Sequence, residues 1–150
     1  MNKKNILDIA KRVLKIEADA VAALTEKLNS DFEKAVEIIY NSKGRVVVTG
    51  MGKSGIVGKK IAATLASTGT PAFFLHPAEA SHGDLGMVTS DDAIIIISNS
   101  GETEELVGLI PFLKRFNVNI ISMTGDTTST LSKVADVTLD IGVKEEACPL

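Results

Sequence analysis

The sequence predicts an α/β fold, a doubly wound three-layer sandwich around a parallel five-stranded sheet, with helices preceding it at the N-terminus. Three observations carry this. Short runs such as Ala93-Ile-Ile-Ile-Ile97 are apolar at every position rather than at alternate ones, so their strands are buried on both faces, as in parallel sheets covered by helices. From residue 45 onward such runs alternate with helical stretches. Two of them run directly into loops of glycines and small polar residues that open a helix, the place where doubly wound sheets bind ligands. With 150 residues, 45% of them apolar, one domain can bury roughly 70% of its unfolded surface without disulfides or metals.

Each element follows in order. Lys3 to Leu28 holds no glycine or proline and predicts one long helix. On a helical wheel Ile6, Leu7, Ile9, Val13, Leu14, Ile16, Ala20, Val21, Leu24 and Leu28 fill an arc of about 180°, wider than the roughly 100° that covering one core requires. The excess predicts a second contact, with another subunit or with a segment outside this chain. Glu17 falls inside the arc, where its carboxylate either pairs or reaches solvent along the edge. Ser30-Asp-Phe-Glu33 has capping-box spacing and predicts a second helix to about Asn41, stopped by Lys43-Gly44. Strands are predicted at Arg45–Thr49, Pro71–Leu75, Ala93–Ile97, Val118–Met123 and Val137–Ile141. Helices are predicted at Ser54–Ser67, Thr103–Phe116 and Ser129–Val134. The chain thus reads as a single domain, with N-terminal helices over 1–42 and an α/β core over 43–150.

Composition excludes several functions. Sixteen basic and nineteen acidic residues, mixed along the chain, give a net charge of −3 and no basic patch for nucleic acid or an anionic membrane. No apolar run is longer than that of Ala93–Ile97, far short of a membrane span, and the N-terminal MNKKNILDIAKRVLK lacks the apolar core of a signal peptide. A single cysteine, Cys148, cannot cross-link the chain to itself and has no partner base to make it a nucleophile. A cytoplasmic domain is the expectation.

Two loops carry the candidate chemistry. Thr49-Gly-Met-Gly-Lys-Ser-Gly55 follows the first strand. Its glycines let backbone approach a ligand, and free N–H groups at a helix start attract phosphate. It is neither a Walker A loop nor a full dinucleotide fingerprint, because the next strand ends without the ribose-binding acid. Tight-turn geometry alone also accounts for glycines here. Ser98-Asn-Ser-Gly-Glu-Thr103 places three hydroxyls around a glycine at another helix start. One hydroxyl would serve as a helix cap; three favour an anion site.

At these residues the sequence resembles the sugar isomerase (SIS) domain family, and within it the arabinose 5-phosphate isomerases. The resemblance rests on GMGKSG (Gly50 to Gly55), STGTPAFFLHPAEASHGDLGM (Ser67 to Met87), SNSGETEE (Ser98 to Glu105) and KEEACPL (Lys144 to Leu150), and it covers essentially the whole chain. It implies a sugar phosphate held by Ser54, Ser98, Ser100 and Thr103. It implies catalysis by Lys53, Glu105 and Glu146, in a site lined by Gly52, Gly55 and His82. It further implies no organic cofactor and no metal, a homotetramer, and a place in the supply of 3-deoxy-D-manno-octulosonate (Kdo) for lipopolysaccharide or capsule. Family members continue past this point with another helix, a further catalytic histidine and a CBS domain pair, so the resemblance implies a C-terminally incomplete domain.

The implied reaction interconverts an aldose and a ketose phosphate, D-ribulose 5-phosphate and D-arabinose 5-phosphate, through an enediol. A carboxylate moves the proton between two adjacent carbons while a cation or acid stabilises the oxygens. Glu146 and Glu105 both remain open as the base, with Lys53 as the cation. Lys53 also reads as a solvated lysine, and Glu105 as a first-turn helix acid, an explanation that Glu102 and Glu104 share. His82 is the better catalytic candidate of the two histidines; His76 and His82 do not form a metal-ligand pattern. Two rival readings stand beside this one: a sugar-phosphate-binding SIS module that does not turn its ligand over, and an SIS isomerase acting on a hexulose 6-phosphate.

Overall fold

In the computed structural model, which describes residues 3–148, α1 (Lys3–Ala23) leads through a 3₁₀ turn at Leu24–Lys27 into α2 (Ser30–Asn41). There follow β1 (Val46–Gly50), α3 (Gly52–Ser67), β2 (Ala72–Leu75), α4 (Pro77–Ser81) and, after a 3₁₀ turn at Asp84–Met87, β3 (Ala93–Ile97). The chain continues through α5 (Glu104–Val107), α6 (Ile110–Phe116), β4 (Asn119–Thr124), α7 (Thr130–Val134) and β5 (Val137–Asp140). The five strands pair in parallel in the order β2-β1-β3-β4-β5.

Every residue of β1 and β3 is buried, as their unbroken apolar runs require. Val47, Ile94, Ile96 and Ile120 face one layer, formed by Ala80 of α4, Leu106 of α5, Ile110 and Leu113 of α6 and Leu131 of α7. Val46, Val48, Ile95, Ile97 and Ile121 face the other, formed by Ala35, Ile38 and Ile39 of α2 and Ile61, Ala62 and Leu65 of α3. The chain therefore leaves β1 toward one layer and β3 toward the other. Strand order reverses between these two neighbours, which opens a crevice at their carboxyl ends.

Several boundaries differ from the sequence reading, each for a local reason. The long first helix ends at Ala23 rather than Leu28, where the Thr25 hydroxyl donates to the Ala22 carbonyl at 2.7 Å and the chain tightens into the 3₁₀ turn. The Ser30–Glu33 capping box does not form. Asn29 is the N-cap instead, its Oδ1 accepting the Asp31 N–H at 2.8 Å. The helix predicted over Thr103–Phe116 is two helices, because Pro111 has no N–H to give Val107 and the ladder breaks at Gly108-Leu109. The helix predicted from Ser54 starts at Gly52, which puts Lys53 and Ser54 within its first turn. Between residues 76 and 92, for which the sequence reading assigns no element, Pro77 opens α4 at its first turn and His76 Nδ1 accepts the Ala78 N–H.

The apolar arc of α1 is open in the single chain, with Leu7, Leu14 and Val21 each more than 60% exposed. Glu17 is exposed as well, so within one chain it takes the solvent-facing alternative. Pro149 and Leu150, the end of the KEEACPL segment, lie outside the described residues.

Candidate functional site

The crevice is built by backbone before side chains. β1 ends at Gly50 in register with Ile97 of β3. A Cβ on Gly50 would stand 3.1 Å from both the Ile97 carbonyl oxygen and the Ser54 carbonyl carbon, so the start of α3 lies against the end of β3. Gly55 permits this turn, since a Cβ there would come within 2.6 Å of the Gly50 oxygen. Met51 is the helix N-cap without a side-chain bond, and Gly52 opens the helix at φ 57°. The 16-residue α3 thus points a full helix N-terminus, with Lys53 exposed and Ser54 half-buried, into the crevice.

The second loop is a closed hydroxyl network. Ser98 is 2% exposed; its Oγ lies 2.8 Å from Thr103 Oγ1 and accepts the Gly101 N–H at 3.1 Å. Ser100 Oγ accepts the Glu102 N–H at 3.2 Å. Gly101 sits at φ 65°, and a Cβ there would collide with the Ser129 side chain. Because α5 is a single turn and not the long helix predicted, its dipole adds little. Hydroxyls and loop N–H groups would supply most of the attraction for an anion here.

The remaining predicted residues fall as follows. Glu105 is exposed in the first turn of α5. His82 is exposed at the end of α4, in the layer that also holds α5. Glu146 is exposed on the irregular segment after β5 and lines a hollow of about 450 Å³ together with Asn99, Gly125, Asp126, Gly142 and Lys144. Of the Ser98–Thr103 loop, only Asn99 lines this hollow with Glu146; Ser98, Ser100 and Thr103 do not. Among the described residues no ion pair joins Lys53 to either candidate glutamate.

Comparison with known proteins gives the family. The SIS domain model matches residues 38–149. This chain belongs to the SIS domain family. It is 58% identical over 153 residues to arabinose 5-phosphate isomerase KdsD of Pseudomonas aeruginosa, covering all of this chain and 47% of that protein. It is 55% identical over 140 residues to arabinose 5-phosphate isomerase KdsD of Escherichia coli K12, covering 93% of this chain and 43% of that one. The chain thus spans less than half the length of these curated relatives. Among solved structures, E. coli CFT073 c3406 in complex with arabinose 5-phosphate superimposes with a TM-score of 0.94 at 43% identity, over 99% of this chain and 79% of that one.

Three features of this SIS domain escaped the sequence reading. Glu102 Oε1 accepts the Thr130 N–H at 2.6 Å, and the Gly101 carbonyl accepts the Leu131 N–H at 3.2 Å, so the hydroxyl loop is tied to α7. Asn99 joins the loop to Gly125, whose N–H donates to the Asn99 carbonyl at 2.9 Å. Lys27 Nζ donates to Asp140 Oδ1 at 2.8 Å and to the Gly142 carbonyl at 2.6 Å. That ammonium, with the Gly142 N–H, holds the Asp140 carboxyl below its ordinary pKa. The Thr128 hydroxyl and N–H do the same for Asp126 at the rim of the hollow. Turn chemistry after a strand points to Gly125-Asp126 in the sequence; nothing there pairs Lys27 with a residue 113 positions away.

Proposed function

We propose that this SIS domain interconverts D-ribulose 5-phosphate and D-arabinose 5-phosphate. The observation that carries the reading is the pairing, at one switch point, of the α3 N-terminus with a hydroxyl loop whose Asn99 shares a hollow with Glu146. The phosphate is held by Ser54, Ser100 and Thr103, with Ser98 beneath them. Gly52 and Gly55 keep the α3 turn close enough for its N–H groups to reach the anion. Glu146 takes the proton from one carbon and returns it to its neighbour, and Lys53 stabilises the enediolate oxygen. Glu105 is the second carboxylate of the pair, and His82 lines the sugar side. No organic cofactor is required, because the reaction moves one proton between adjacent carbons and one between their oxygens, with no net oxidation or reduction.

The cell-level reading is cytoplasmic, supplying arabinose 5-phosphate to Kdo synthesis for lipopolysaccharide or capsule. Among the described residues no helix is long and apolar enough to cross a membrane. Self-association rests on the open apolar arc of α1, and a tetramer as the expected state rests on the family resemblance alone.

The test is turnover of D-ribulose 5-phosphate by the full chain in deuterated water, followed by NMR. Arabinose 5-phosphate carrying solvent deuterium on the carbon that receives the proton is the expected product, with E146Q and K53M each losing at least about a hundredfold. Tight binding of arabinose 5-phosphate with no exchange by the unaltered chain would make this a sensing module. Turnover confined to a hexulose 6-phosphate would move it to another isomerase class.

A further inference from the structure

We infer that Lys27 is a positioning residue for Glu146. The inference rests on the reading of Glu146 as the proton-transferring carboxylate. β5 ends at Asp140, and no regular element holds the chain from Ile141 to Cys148. A catalytic group on an irregular segment needs outside anchors, since a misplacement of about 1 Å can cost roughly a hundredfold in rate. Glu146 lies four residues past Gly142, a reach of about 14 Å at most, so where Gly142 is fixed limits where the carboxylate can go.

Lys27 fixes Gly142. Its ammonium bridges Asp140 Oδ1 at 2.8 Å and the Gly142 carbonyl at 2.6 Å, while Asp140 Oδ1 also accepts the Gly142 N–H at 2.8 Å. Three groups thus close one ring around the first bend after the sheet. The ion pair is only partly exposed, at 28% and 39% for the two side chains, so water screens it less than a free surface pair. The clamped bend lies against Gly125. A Cβ on Gly142 would stand 3.0 Å from the Gly125 oxygen, and Gly125 is the residue bonded to Asn99 of the hydroxyl loop. The bend is thus referenced to the hydroxyl loop through Gly125, and Lys27 holds Gly142, from which the chain runs on to Glu146. Lys27 is a side chain of the turn after α1, outside both core layers, so its charge can be removed without opening a cavity in the sheet.

The experiment compares K27M, K27R and E146Q in the full chain, reading kcat and KM for ribulose 5-phosphate and hydrogen–deuterium exchange of residues 142–146. K27M should lower kcat about 10- to 100-fold with KM within about threefold, because the phosphate loops are untouched. Exchange over 142–146 should rise while that over 98–103 holds, and K27R, which keeps a donor in reach, should restore most of kcat. Unchanged exchange over 142–146 in K27M overturns the clamp whatever the activity. A normal kcat in K27M beside an inactive E146Q overturns the positioning role while leaving the function intact. Full activity in E146Q removes Glu146 from the reaction and the inference with it.

Discussion

Glu102 reaches out of the hydroxyl loop and caps a different helix: its Oε1 accepts the Thr130 N–H of α7 at 2.6 Å. The residue beside the candidate phosphate ligands is therefore a strut and not a ligand. Glu102→Ala should destabilise the fold by about 1 kcal/mol, the usual worth of a lost cap. It should also weaken arabinose 5-phosphate binding severalfold, because the loop loses one of its two ties to α7. Glu102→Gln keeps the acceptor oxygen and should recover most of both. Thermal melts and calorimetric titration of the three proteins check this; a Glu102→Ala protein with unchanged melting and unchanged affinity would remove the strut.

Gly101 is the sharpest steric constraint in the loop. It holds φ 65°, and any Cβ would run into Ser129, the N-cap whose Oγ accepts the Ser132 N–H at 3.3 Å. Gly101→Ala should cost more than about 2 kcal/mol through combined strain and displacement of that cap. Arabinose 5-phosphate binding should fall by more than about tenfold, since Thr103 cannot keep its place when Gly101 moves. A matched control is Gly86→Ala, where a Cβ meets nothing within 4 Å and stability should change little. Chemical denaturation of both variants decides it.

Stability at acid pH should depend on Asp92, at the amino ends of the strands. Burial by itself would raise its pKa, but the N–H groups of Arg45 at 2.7 Å and Thr89 at 2.8 Å, with the Arg45 guanidinium at 3.3 Å, outweigh it and hold the carboxyl low. A depressed folded pKa means that the unfolded chain takes up the proton first. The stabilisation is thus complete above the ordinary aspartate value near about 4, and is lost as pH falls from there through the folded value. Asp92→Asn should cost roughly 2 to 4 kcal/mol at neutral pH, because an amide offers one acceptor where two oxygens are bonded. The same substitution should flatten the acid limb of the stability curve, and urea melts at pH 3, 4 and 7 would show whether it does.

The sheet was legible in the sequence and the wiring around the site was not. Ala93–Ile97 could only be a strand buried on both faces, and the glycines at 50, 52 and 55 had to mark a close turn, because both follow from local composition. Pro111 does signal a helix boundary, but the strong apolar pattern of Leu106 to Leu113 masks it. Pro77 at the head of α4 is equally visible. Burial within the hydroxyl loop is not. Ser98 and Ser100 are alike in sequence, yet only the first sits directly past β3, in step with Ile94 and Ile96, which point into the core. Lys27 with Asp140 and Glu102 with Thr130 join residues 113 and 28 positions apart. No periodicity reports such pairs; tertiary packing alone creates them.

Ser98 and Thr103 should act on the phosphate as one unit. Ser98 Oγ already accepts the Gly101 N–H at 3.1 Å, so its own proton is best placed on Thr103 Oγ1 at 2.8 Å. That leaves the Thr103 proton free for an acceptor in the crevice. A line of donors, Gly101 N–H to Ser98 to Thr103 to the anion, strengthens along its length, and a buried Ser98 contributes without touching the ligand. Thr103→Val should weaken arabinose 5-phosphate binding about 10- to 100-fold by removing a hydrogen bond to a charged group. Ser98→Ala should weaken it by about tenfold, through Thr103. If the line is real, the double variant should be little worse than Thr103→Val alone, with a coupling on the order of 1 kcal/mol in a double-mutant cycle. Independent losses that simply add would mean that Ser98 meets the phosphate directly. Titration of the four proteins with arabinose 5-phosphate at one ionic strength separates the two outcomes.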